Sequence, residues 1–357
     1  MANIFGKKWT RQALLAHVGD IAQIAGVRLA ELSDGPGRGV RIAEFYSGSG
    51  FEFTVLLDRG LDIHDASLKG TPLAFTSALG PSHPAFYDPA GTGWLRNFHG
   101  GWLNTCGLTN VGVPGEDALG AFGMHGFASN LPARLIGYGG EWRSDDYEIW
   151  VEASLRETAF FGVKLQLTRR ISALLGQSEL QITDRVENFG DDEAPFMLLY
   201  HCNFGFPVVA AGSRLVVNQK SVQPRDAAAK PGLGSHLEMD PPQAGYAEQV
   251  FFHQLNADEH GFVTAAVVND AIALAGTVCY RQAELPNLIQ WKQMGRGTYV
   301  LGLEPANCLV LGRAAERQRG TLQMLQPGES REMVLRLGAV EGLEAIRALV
   351  DRIRPGE

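Results

Sequence analysis

The chain is short of most groups that announce a chemistry. It has four cysteines in 357 residues, Cys106, Cys202, Cys279 and Cys308, far apart and with no CxxC spacing. They read as reduced core thiols of a cytoplasmic protein rather than as a disulfide scaffold or thiol metal centre. There is no phosphate loop, no nucleophile elbow and no HExxH. Gly48-Ser49-Gly50 is too short for a dinucleotide fingerprint and leads into a strand pattern. His64, His83 and His99 have no ligand spacing with each other or with His125 and His201, so no metal and no other cofactor is expected. Basic residues are in deficit: the formal net charge is -8, which argues against a nucleic-acid partner. No apolar run is long enough to span a membrane, and Met1 to Thr10 lacks the features of a signal peptide. A cytoplasmic protein, monomer or homodimer, is the expectation.

What is present is a long series of short strand patterns. Arg41–Tyr46, Phe51–Leu57, Ile149–Leu155, Val163–Ile171, Glu179–Val186, Val263–Val268 and Arg331–Leu337 are rich in β-branched and aromatic residues or alternate at period two. Asn188-Phe189-Gly190-Asp191-Asp192 and Gln326-Pro327-Gly328-Glu329 are turns between such runs. Helical periodicity is confined to the ends, with Leu14, Leu15, Val18 and Ile21 on one face and Leu343, Ile346, Leu349, Val350 and Ile353 on another. Hairpin-like turns without βαβ alternation predict an all-β protein of antiparallel sheets packed face to face, in one continuous domain. Two irregular stretches, Ser77–Gly120 and Gln219–Gln243, are where a site would be built on such a scaffold.

Chemistry must come from a histidine and a carboxylate. His201 stands beside Tyr200 in an apolar run, followed by Asn203 and Gly205; Glu304 lies between Leu303 and Pro305. A carboxylate in that setting is costly to bury without a charged partner or a raised pKa, the usual condition of a catalytic base. Two readings stay open: a general acid–base pair, or a core histidine satisfied by Tyr200 and Asn203 and a glutamate held in an ion pair by Lys292 or Arg59. His125, between glycines at Gly123 and Gly126, is either a turn residue or part of the site, with Asn130 offering a donor and an acceptor. Asp58-Arg59-Gly60-Leu61-Asp62 puts an arginine fork near two acids, suited to sugar hydroxyls or to a solvated hairpin turn. Trp102 with Asn104, and Trp291 with Gln290 and Lys292, combine aromatic surface with polar groups as a carbohydrate site does.

Three of these segments resemble the galactose mutarotase (aldose 1-epimerase) superfamily, in the family's order. His125-Gly126-Phe127-Ala128 is similar to the His-Gly-Phe-Ala segment of hexose-6-phosphate mutarotases. Tyr200-His201-x-Asn203 resembles the segment carrying the family's second histidine, and Leu303-Glu304-Pro305 its Glu-Pro segment. Cys202-Asn203-Phe204 replaces the family's Phe-Asn-Leu, and Arg59 stands in for an arginine whose local context is missing. The resemblance implies a β-supersandwich over residues 40–340, with an N-terminal helical segment over 1–25 and a C-terminal helix over 341–355. It implies mutarotation of a monosaccharide or sugar derivative with no cofactor, with His201 as acid, Glu304 as base and His125 at the ring oxygen. Arg59, Asp62, Asn104, Asn130, Asn203, Gln290 and Lys292 are then the expected substrate-binding residues. A non-catalytic sugar-binding protein and a carbohydrate lyase using the same pair are the alternatives.

Overall fold

Alternation decides the architecture. In the computed structural model, which describes residues 1–354, Asp146–Thr158 and Lys164–Leu174 bury every second side chain, as strands lying on a core do. They belong to an eight-stranded antiparallel sheet in the order Arg134–Arg143, Asp146–Thr158, Lys164–Leu174, Glu179–Asn188, Ser330–Glu341, Leu274–Arg281, Phe262–Asn269, Arg214–Val217. A second sheet, of seven strands, runs Gln219–Pro224, Gln249–Leu255, Asn287–Gly295, Thr298–Ala306, Ala194–Phe204, Gln323–Leu325, with Asn104–Leu108 also paired to Ala194–Phe204. A five-stranded sheet, Gly26–Glu31 through Thr71–Pro72, adds Phe45, Phe53 and Val55 to the same core.

The expected all-β sandwich of antiparallel sheets is the observed fold. Leu180, Ile182 and Leu335 of the eight-stranded sheet meet Leu198, Leu301 and Leu303 of the seven-stranded one in a single apolar cluster. All eleven residues of Ala194–Phe204 are buried. One face of that strand lies on this cluster, and the other, with Met197 and Leu199, lies in a second cluster beneath the irregular segments. This two-sided burial is why its sequence reads as an apolar run instead of alternating.

The ends depart from expectation. The segment 1–25 is mostly not helical: it opens with a hairpin, Ala2–Ile4 against Lys7–Trp9, and its one α-helix is Arg11–Leu15, capped by the Thr10 hydroxyl. Of Leu14, Leu15, Val18 and Ile21 only Leu14 is fully buried; Ile21 packs on the same core from a separate short 3-10 turn, because the helix ends at Leu15. The C-terminal helix spans Leu343–Ile353 and lays Ile346, Leu349 and Ile353 on Val216, Ala266 and Val268. Pro355, the last residue of the expected helix, lies outside the described residues. Within Gln219–Gln243, the first six residues form a strand, Gln219–Pro224, and the irregular chain begins after it.

Candidate active site

Strand pairing makes the site. Leu199 lies opposite Ala306 and Cys202 opposite Leu303, which sets His201 across from Glu304 on neighbouring antiparallel strands. His201 Nε2 is 3.1 Å from Glu304 Oε1, and both side chains are almost wholly buried. Glu304 Oε1 makes no hydrogen bond among the described residues, so the contact is close but not directed along a ring N–H. A buried carboxylate oxygen without a donor is costly unless a ligand completes it.

Asn203, two residues from His201 and on the same face of its strand, fixes the tautomer. Its Nδ2 donates to the carbonyls of Gly100, Gly101 and His201 at 3.4, 3.1 and 3.0 Å, which leaves Oδ1 facing His201 Nδ1 at 2.6 Å. The Nδ1–H therefore donates to Asn203, and the Nε2 lone pair of the neutral ring faces Glu304. Burial lowers the His201 pKa to about 4 and pushes that of Glu304 well above the usual carboxylate range. Both shifts favour the state in which the pair carries one titrating proton, with His201 neutral and Glu304 protonated.

His125 reaches the same cavity from a residue with φ of 57°, flanked by Gly126 at 70°. Its Nδ1 accepts from the Gly112 amide at 3.3 Å, so Nε2 carries the hydrogen. Burial lowers its pKa to about 3 and keeps it neutral, a hydrogen-bond donor. Its ring lies 4.5 Å from that of Trp94, which stacks on Phe98 at 4.6 Å. Phe98 and Trp291 each lie 5.3 Å from the His201 ring. The result is an aromatic bowl of 210 Å³ with His125, His201 and Glu304 in its lining and Arg225 and Glu248 among its charged groups.

The expected substrate-binding residues fare differently from the trio. Asn203 touches His201 and orients it. The other six do not line the cavity, and the placement corrects the expectation. Gln290 and Lys292 flank Trp291; at period two they point to the opposite face of the sheet. There Gln290 meets His253 Nε2 at 2.9 Å and the His236 carbonyl at 2.6 Å, while Lys292 donates to the Ser235 carbonyl and Asp240. Arg59 is buried and spends its guanidinium on the carbonyls of Ser129, Ser82 and Asn97. Asp62 accepts from the Thr105 amide and hydroxyl, Asn104 bonds to His99, and Asn130 to Asn97 and Ser129. Neither Lys292 nor Arg59 pairs with Glu304: Lys292 binds Asp240, Arg59 binds carbonyls, and the group at the carboxylate is His201. Trp102 is a core residue, packed on Phe51 and Phe204.

Most other lining residues escaped the sequence reading, and four of them shape the site: Trp94, Phe98, Arg225 and Glu248. Trp94 and Phe98, one helical turn apart, lie inside the irregular stretch already marked by its tryptophans and glycines. Arg225 and Glu248 bracket the second irregular segment; they pair at 2.9 Å, and Glu248 accepts from the Trp291 indole at 2.7 Å. Nothing in their local sequence separates them from any surface pair.

Comparison with known proteins places the fold. The profile of a family described as a domain of unknown function (DUF4432) matches residues 37–339. No curated protein matches the chain. Among solved structures, one from Klebsiella pneumoniae subsp. pneumoniae, provisionally named an aldose 1-epimerase, superposes with a TM-score of 0.87 at 27% identity, covering 92% of this chain and 86% of its own. A galactose mutarotase-like protein from Clostridium acetobutylicum gives 0.64 at 16% identity, with 89% and 99% covered. A galactose 1-epimerase from Lactobacillus acidophilus gives 0.60 at 14% identity, with 88% and 99% covered, a likeness of fold alone.

Proposed function

The chain belongs to the family described as a domain of unknown function (DUF4432) and to the galactose mutarotase-like superfamily, and from that premise we propose that it is a sugar isomerase catalysing mutarotation. The observation that carries the reading is the His201–Glu304 contact at 3.1 Å, with a carboxylate oxygen left unpartnered in an aromatic bowl. Aromatic walls suit the apolar face of a sugar ring, and the unpaired oxygen suits its anomeric hydroxyl.

The single proton of the pair is sufficient for the reaction. With that proton on His201 Nε2, Glu304 is a carboxylate and takes the hydrogen of the anomeric hydroxyl. His201 gives its proton to the ring oxygen as the bond from the anomeric carbon to that oxygen breaks and the carbonyl forms. The products are a neutral imidazole and a carboxylic acid, the same protonation state that burial favours in the empty site. Rotation about the neighbouring carbon–carbon bond presents the other carbonyl face, and the transfers run backwards to close the opposite anomer. His125, donating through Nε2, steadies the ring oxygen as its charge changes. Positioned acid and base each contribute about 10²–10⁴-fold.

The test is Glu304→Gln, which keeps size and hydrogen bonding but cannot take a proton. Anomeric exchange, followed by NMR on a panel of free sugars, should fall by at least ~100-fold while sugar affinity by calorimetry changes little. Exchange that survives the substitution overturns the assignment of Glu304 as base.

A further inference from the structure

The polar groups facing the cavity are few, and most are already spent. The Trp94 indole donates to the Ser129 hydroxyl at 3.3 Å and the Trp291 indole to Glu248 at 2.7 Å, so both present ring faces only. Arg225 gives Nε to Asp226 at 2.8 Å and Nη2 to Glu248 at 2.9 Å. Both backbone groups of Gly112 are used by His125, and the Val113 carbonyl accepts from Asn110. Among the described lining residues, what remains to read a ligand is Glu304, the Nε2 atoms of His201 and His125, and Nη1 of Arg225, which has no acceptor among the described residues beside the two bonds to Asp226 and Glu248. The first three belong to the reacting centre, and Arg225 stands apart from it at the charged pair with Glu248.

The ring oxygen at His201 fixes what lies beside it. In a hexopyranose the exocyclic carbon C6 is attached next to the ring oxygen, so it sits against the neighbours of His201. Those neighbours are the rings of Phe98, Trp291, His125 and Trp94, at 5.3, 5.3, 6.1 and 6.3 Å between centroids, and the one unspent donor among them, His125 Nε2, is taken by the ring oxygen. A hydroxyl there would be desolvated without a partner, whereas a methyl group would be at home. The charged groups of the lining are one cation, Arg225, and two carboxyl groups, Glu248 and Glu304, with Arg225 already paired to Glu248, which disfavours a phosphate or carboxylate.

We propose that the substrate of this site is a neutral 6-deoxyhexose, selected because C6 meets aromatic carbon where a hexose would bring a hydroxyl. The assignment rests on the mutarotase reading for the orientation of the ring. Its test is calorimetric titration of the wild-type protein and of Glu304→Gln with matched pairs, fucose against galactose and rhamnose against mannose, each in the same absolute configuration, and with the hexose 6-phosphates. In each pair that binds, the deoxy sugar should be tighter by about 10- to 100-fold, the discrimination an apolar pocket achieves against one added hydroxyl. The phosphates should bind more weakly still. Met124→Gln, a half-buried change in the cavity wall that supplies a donor and an acceptor, should narrow the ratio. A parent hexose or a phosphate that binds as tightly as the deoxy sugar overturns the proposal, as does a ratio that Met124→Gln leaves unmoved or a panel in which no pair binds. Deoxy preference without anomeric exchange would refute the reaction instead, and leave the specificity standing.

Discussion

The two faces of the seven-stranded sheet carry similar residues to opposite ends. On the face toward the other sheet, Tyr200 gives its hydroxyl to Asp184 at 2.7 Å, and Arg169 holds the same carboxylate with two bonds of 2.8 and 2.6 Å. One residue along the chain, His201 faces Glu304 on the cavity side, where Oε1 has no hydrogen-bond partner. Both carboxylates are buried. Asp184 is saturated by donors and closes the structure, while Glu304 is left incomplete and so has capacity for a ligand. Neither burial nor a missing partner alone marks a catalytic carboxylate, since Asp62 Oδ2 is also unpartnered away from the cavity; Glu304 combines an unpartnered oxygen with a place in the cavity lining.

Breaking the saturated face should give the largest effect. Arg169→Met removes the only cation that contacts Asp184 among the described residues, and takes a donor away from the Thr105 hydroxyl and the Gly60 carbonyl, all at full burial. Losing one partner of a buried pair costs about 3–5 kcal/mol, read as a lower urea midpoint. The cavity pair should behave in the other way. Glu304→Gln and His201→Asn should each lower turnover by at least ~100-fold with little loss of stability, and the double variant should be barely worse than either, since the two groups pass protons as one unit. Additive losses would show that the two groups act separately.

The pair also sets a pH profile. Below pH about 4 His201 gains a proton that the one-proton state lacks, and no base remains; kcat/KM should fall on that limb. On the alkaline side the proton is lost at the raised pKa of Glu304, and no acid remains. Stability follows the same groups with opposite signs. Glu304, whose folded pKa lies above its unfolded one, favours folding less and less as pH rises from the unfolded value to the folded one. Glu304→Gln should therefore gain in thermal midpoint over the wild type as pH is raised. His201, whose folded pKa of about 4 lies below the ordinary 6.5, loses its share of stability as pH falls through that interval. An activity profile that stays flat well below pH 4, with loss only on the alkaline limb, would leave Glu304 in place but remove His201 as the acid.

Alternation and turn chemistry carried most of the fold. The strand expected at Arg41–Tyr46 is observed with those ends, and Val263–Val268 lies within Phe262–Asn269. The N-terminal segment misled because apolar spacing does not register the break after Leu15: Leu14 and Ile21 reach the same core from two separate short elements. At the site, His201 and Glu304 stood out because a polar residue in a strongly apolar strand is an anomaly that sequence records directly. Gln290 and Lys292 looked equally suggestive, since proximity along the chain to Trp291 does not say that adjacent strand residues face opposite ways. Arg225 and Glu248 had no signal: their importance comes from a pairing across 23 positions, which only the folded loop creates.

The smallest effect expected is also the sharpest comparison, because it contrasts adjacent residues of one strand. Trp291 contributes a face to the cavity, and its indole is steadied by Glu248. Trp291→Leu should raise KM for a bound sugar by about 2- to 10-fold, the range of an aromatic contact worth ~0.5–1.5 kcal/mol, with kcat changed less. Lys292 is 1% exposed on the far face, and its partner Asp240, at 42%, stays solvated when the ammonium is removed. Lys292→Met therefore leaves no isolated buried charge, and its cost should stay near ~1 kcal/mol of stability, with KM within about 2-fold of the wild type. Both constants come from the same NMR exchange assay, and the stability from urea unfolding. If Lys292→Met weakens sugar binding more than Trp291→Leu does, the substrate is read from the other face of the sheet, and the cavity described here is not where it binds.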